Sequence, residues 1–80
     1  MPKLRLHLTF PEQLIQDPII WRLGRQYDII TNVRRANVEE HVGWVILEVE
    51  GTEEALDQGV AWMQEMGVQV DRLTGDVVES

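Results

Sequence analysis

Apolar residues recur at every second position from Leu4 to Phe10, with Arg5, His7 and Thr9 between them. Successive side chains leave a strand on opposite sides, so a period of two indicates a strand with one face against a core. Leu4, Leu6, Leu8 and Phe10 are predicted to point inward, and Lys3, Arg5, His7 and Thr9 outward. Pro11 ends this strand. Asp17-Pro18 has the form of a helix N-cap followed by proline at the first helical position. Ile19, Ile20, Leu23 and Tyr27 then supply an apolar stripe at helical spacing. Gly24 weakens this helix, which is predicted to stop near Arg25 or Gln26.

A second strand is expected over residues 28–37, with Ile29, Thr31 and Val33 on one face and Ile30, Asn32 and Arg34 on the other. Glu39, Glu40 and His41 form a polar link to Gly43. Residues 44–50 are the clearest strand of the chain, Val45, Leu47 and Val49 alternating with Trp44, Ile46, Glu48 and Glu50. Gly51-Thr52 followed by Glu53 and Glu54 signals a helix start, because a threonine cap and early carboxylates both satisfy the positive end of the helix dipole. Leu56, Val60 and Met63 line the buried face of this helix, with Met66 near its end and Gly67 as its C-cap. Residues 68–73 alternate again as a fourth strand, and residues 74–80 read as a short frayed tail.

The order βαββαβ is that of the ferredoxin-like α+β fold, a four-stranded antiparallel sheet with two helices on one face. The other face is left open, and side-chain parity places Arg5, His7, Ile30, Asn32, Arg34, Trp44 and Ile46 there. A tryptophan and two isoleucines on a solvated face call for a cover. The sequence reading is a homodimer using this open face or an adjacent edge strand, with Ile30, Asn32, Trp44, Ile46 and His7 at the interface.

Eighty residues make one domain, small enough that pairing with a copy would add substantially to its stability. Seven basic against fourteen acidic residues give a net charge of −7, which repels a phosphate backbone and argues against nucleic-acid binding. The charge is uneven: Arg22, Arg25, Arg34 and Arg35 fall in a stretch whose only acid is Asp28. They read as solvated surface or as a local site for a carboxylate or an acidic partner, because guanidinium forks bind carboxylates bidentately. There are no cysteines, which excludes disulfides, thiolate zinc sites and iron–sulfur ligation by this chain. No apolar run approaches the ~18 residues of a membrane span and no signal-peptide core opens the chain, so a cytoplasmic protein without membrane insertion is expected.

The stretches Phe10-Pro11, Asp17-Pro18-Ile19-Ile20, Asp28-Ile29-Ile30-Thr31-Asn32-Val33, Gly43, Gly51-Thr52 and Met66-Gly67-Val68-Gln69-Val70 together resemble the NIL domain. That family is named for an Asn-Ile-Leu motif and forms the C-terminal regulatory part of ATPase subunits of bacterial methionine importers. It also occurs joined to iron–sulfur ferredoxin modules and as small separate proteins. Here Asn32-Val33-Arg34 stands where Asn-Ile-Leu is expected, and Gly43-Trp44 where the family has a glycine leading into the third strand. The resemblance spans residues 1–74. It implies an ACT-like dimer that senses methionine or a related sulfur amino acid at or near the subunit interface and acts on a separate partner, a transporter or a sulfur-metabolism enzyme.

No cofactor, metal or catalytic residue is expected. The chain has no Gly-x-x-x-x-Gly-Lys loop. Acylphosphatases share the topology but need an arginine in a phosphate-cradling loop after the first strand, where this chain has Phe10-Pro11-Glu12-Gln13, acidic and free of glycine. RNA-binding domains of this topology stack bases on central-strand aromatics, and one tryptophan with a negative net charge is a poor match. His7 and His41 have no metal-ligand spacing. Two classes remain: a sensor of a small amino acid, with Asn32, Arg34, Trp44 and Ile46 around the ligand, or a protein-interaction module that docks a partner through the open face and binds no metabolite.

Overall fold

The computed structural model describes residues 1–73, so the expected tail lies outside the described residues. Strand β1 spans Lys3–Phe10 and a short 3-10 turn spans Glu12–Leu14. Helix α1 (Ile19–Tyr27), strands β2 (Ile30–Val38) and β3 (Gly43–Glu50), helix α2 (Glu53–Met66) and strand β4 (Gln69–Arg72) follow. The strands form one sheet in the order β2-β3-β1-β4, every neighbouring pair antiparallel. This is the ferredoxin-like arrangement.

The alternation of β1 and β3 places their apolar sets on the helix side. Leu6 pairs with Leu47, Leu8 with Val45 and Leu4 with Val49, and Leu6, Leu8 and Leu47 are fully buried. Ile19 and Leu23 of α1 and Leu56, Val60 and Met63 of α2 close the core from above. Gly59 marks the contact between the helices: a Cβ there would come within 2.7 Å of Ile29 Cδ1 and 2.8 Å of Leu23 Cδ1, so a larger residue would have to displace the ends of these two core side chains.

Helix α2 starts and stops as its sequence signals. The Thr52 hydroxyl accepts a 3.0 Å hydrogen bond from the Ala55 amide, and Gly67, at φ 109°, closes the helix in the left-handed region that suits glycine. Thr52→Ala is expected to lower stability by about 1 kcal/mol, read as a shift of the urea midpoint with an unchanged slope; a shift below about 0.3 kcal/mol would show the cap to be replaceable by water.

Helix α1 departs from expectation at both ends. Asp17 does not cap it. Pro18 occupies the N-cap position without a side-chain hydrogen bond, while the Asp17 carboxylate is engaged by Arg22 Nη1 at 3.2 Å. The helix runs on to Tyr27 and ends at Asp28, a left-handed residue (φ 56°) whose amide donates to the Gly24 carbonyl. Aspartate tolerates this conformation better than most residues, and the turn it makes delays β2 to Ile30. Gly24 sits inside the helix because the chain returns close to it: a Cβ there would lie 3.1 Å from the Ile29 carbonyl oxygen.

Candidate functional site

The open face of the sheet carries Arg5, His7 and Thr9 from β1, Trp44, Ile46 and Glu48 from β3, and Ile30 and Asn32 from β2, as the alternation requires. The register then changes the expected site. Asn32 pairs with Glu48 and Val33 with Leu47, but the next pair is Arg35 with Ile46, followed by Ala36 with Val45 and Asn37 with Trp44. Arg34 is the extra residue of a β-bulge. The place beside Ile46 that parity had given to Arg34 belongs to Arg35.

Asn32 and Ile46 remain diagonal neighbours, within reach of one another across the strands. Trp44 lies four positions along β3 from the partner of Asn32, roughly 13 Å at the usual rise of a strand. It stacks instead on His7, ring centroids 5.6 Å apart and planes 15° from parallel. Asn32, Arg34, Trp44 and Ile46 are therefore not assembled around a single small molecule within one subunit. Arg5 and Glu48 pair at 3.4 Å in the middle of this face, both side chains at least three-quarters buried. Trp44, Ile46 and His7 are half-buried, so this face is less in need of a cover than the sequence suggests.

The most exposed apolar side chains lie along the edge strand β2 and beside it: Ile30, at the margin of the open face, is 59% exposed, Val33 49%, Val38 57% and Trp21, on α1, 62%. The four clustered arginines divide between two elements. On α1, Arg22 is held by Asp17 and lies 5.1 Å over the Trp62 ring, while Arg25 lies 5.4 Å over that of Trp21. Arg34 and Arg35 are exposed on β2 at the bulge. His41 sits in the β2–β3 turn, where its Nδ1 lies 2.8 Å from Glu12 Oε2, joining this turn to the segment after β1.

On the helix side, a groove of about 180 Å³ opens where the segment after β1 and the start of α1 meet the far end of the β2–β3 hairpin. Phe10, Leu14, Ile19 and Val45 form its buried floor. Ile20, Trp21 and Val38 stand around its mouth, with Asp17 as its charged side chain. None of these was a candidate in the sequence. The groove forms between segments some twenty residues apart, and each of its apolar residues reads individually as core. The only local signal was Gly43, which lines the groove without a side chain to fill it.

Among the described residues, no three of His, Asp or Glu come together as a metal site, and no helix is long and apolar enough to cross a membrane.

The NIL domain model matches residues 4–72. Among curated proteins, the chain is 29% identical over 72 residues to the methionine import ATP-binding protein MetN of Coxiella burnetii, covering 85% of this chain and 20% of that protein. It is 27% identical over 60 residues to MetN of Helicobacter hepaticus, covering 70% and 17%. The chain thus spans about a fifth of the length of the curated relatives it matches. Its fold is similar to that of the C-terminal domain of an ABC transporter ATP-binding protein from Enterococcus faecalis, with a TM-score of 0.78 over 89% of this chain and 83% of that one, at 15% identity.

Proposed function

This chain belongs to the NIL domain family, and from that premise we propose that it is a regulatory domain that senses a sulfur amino acid such as methionine, as a homodimer, and passes the signal to a separate protein. The observation that carries this reading is the similarity of residues 4–72 as a whole to a domain found in proteins of methionine import. The groove beside α1 adds a chemical reason. It offers an apolar floor for an apolar side chain and the Asp17 carboxylate for the polar end of an amino acid. The eighty residues include no phosphate-binding loop, so the event that is regulated takes place on other residues, and a transporter or an enzyme of sulfur metabolism fits that role.

The competing reading is a protein-interaction module, favoured by the exposure of Ile30, Val33 and Val38 on one edge strand. Calorimetric titration of L-methionine into the full chain separates the two. Sensing predicts saturable binding and thermal stabilisation by about 2.7 kcal/mol at a hundredfold excess over the dissociation constant. Absence of heat and of stabilisation with methionine and other amino acids would overturn the sensor in favour of the interaction module.

A further inference from the structure

We propose that the uncovered part of the sheet's helix-side face, a shelf between α1 and β2, docks an acidic amphipathic helix of a separate protein. This goes beyond both readings above: it names a surface and the chemistry of its partner, and it holds whether or not the domain binds a metabolite.

The first support is an unfinished layer. The helix-side residues of β1 and β3 are shut away from solvent, Leu6, Leu8 and Leu47 completely. Those of β2 are not. Cross-strand pairing sets Val33 beside Leu47, Ala36 beside Val45 and Val38 beside Gly43, all on the helix side, yet all three are exposed. Helix α1 comes close to β2 at its C-terminal end, where a Cβ on Gly24 would lie 3.1 Å from the Ile29 carbonyl oxygen and 3.9 Å from Thr31 Cγ2. Toward the hairpin the two elements separate, and the exposed Trp21 and Val38 stand at the mouth of the groove between them. In a two-layer fold such a sheet face is covered by helix, and a contiguous exposed apolar surface marks an interaction site. A copy joined antiparallel along the outer edge of β2 would continue the sheet with its own β2, leaving the face above both strands without a helix.

The second support is charge. In a chain of net charge −7, residues 18–38 carry Arg22, Arg25, Arg34 and Arg35 against Asp28 alone. Arg22 is held by Asp17, and Arg35 takes the place beside Ile46. The other two flank the shelf. Arg25, exposed on α1, lies 5.4 Å over the Trp21 ring, and Arg34 is the exposed bulge residue between Val33 and Ala36. A helix with apolar side chains at i, i+3, i+4 and i+7 lays that stripe against Trp21, Val33 and Val38. Carboxylates beside the stripe then meet the two guanidinium groups, which bind them in a forked geometry. A basic helix of the same shape would meet like charges on both sides.

The test is calorimetry and NMR on the full chain with two synthetic helical peptides, both with leucine at i, i+3, i+4 and i+7, one with glutamate and the other with lysine at the flanking positions. The glutamate peptide is expected to bind saturably and at least tenfold more tightly than the lysine peptide, with an affinity that falls as salt is raised. The Trp21 indole and the Val33, Ala36 and Val38 amide signals should shift on titration. Trp21→Ala should weaken the glutamate peptide at least tenfold, and Arg25→Glu combined with Arg34→Glu should reverse the preference between the peptides. All three side chains are exposed, so native spectra of the variants are expected, and the wild-type shifts locate the site in any case. Failure of the glutamate peptide to bind, equal binding of the two peptides, or shifts confined to Trp44 and Ile46 would overturn the proposal. Burial of the Trp21 indole that grows with the concentration of the chain alone would assign the shelf to a second copy and overturn it too. Methionine takes no part in this experiment, so none of these outcomes bears on the sensor reading.

Discussion

Leu47→Ala is expected to lower the stability of the domain by about 2–5 kcal/mol, the range for truncating a buried leucine whose cavity cannot fully collapse. Leu47 lies on the central strand β3, fully buried, with Leu6 opposite it on β1 and Val33 on β2. Its neighbours are thus held on both sides by strand ladders and cannot close over the gap. At 0.05–0.15 kcal/mol per residue, a domain of this size has roughly 4–12 kcal/mol in total, so the variant sits near the edge of folding, with a melting temperature lower by about 4–8 °C for each kcal/mol lost. Val42→Ala, in the β2–β3 turn and 46% exposed, is the control, expected to stay within about 0.5 kcal/mol of the wild type. Equal losses in the two variants, or a loss below 1 kcal/mol for Leu47→Ala, would show that the sheet is not the rigid centre described here.

The elements that carry this core are those whose pattern was plainest. β1 and β3 alternate without interruption, each apolar residue has a partner across the ladder, and the faces they predict are the faces observed. Thr52 and Gly67 act locally, through bonds to amides and carbonyls within a turn, and local chemistry is what a sequence states directly. β2 is different. Its residues 34 and 35 are both arginine, so polarity cannot tell which of them is the extra residue of the bulge, and one unrecognised insertion turns every later side chain to the other face. Asp28 reads as the first residue of a strand and serves as the left-handed cap of a helix, because the carbonyl it closes on, that of Gly24, is fixed by the approach of Ile29. The groove and the His41–Glu12 contact arise only where the β1–α1 segment meets the hairpin. No spacing along the chain encodes that meeting.

The edge of the sheet decides the second large effect. The full chain is expected to sediment as a dimer at micromolar concentration, and Ile30→Lys combined with Val38→Lys is expected to raise its dissociation constant at least tenfold, about 1.4 kcal/mol. β2 is a nine-residue edge strand exposed along almost its whole length, with Ile30, Val33 and Val38 standing out of it. Among the described residues no strand lies beside its outer backbone groups, which is the usual invitation to pair with another chain. Arg34 and Arg35 restrict how a copy can bind: an antiparallel partner centred on them would set guanidinium against guanidinium, which is unfavourable, so the two-fold axis belongs toward one end of the strand. Trp44→Ala separates this geometry from the open face, the two being the alternatives that the sequence leaves for the dimer. The Trp44 ring is half-buried and stacked on His7 within its own subunit, so its removal should leave the dimer within about threefold of the wild type. A strong loss of dimer in Trp44→Ala with no change in the lysine pair would return the interface to the open face, and a monomeric wild type would remove the homodimer altogether.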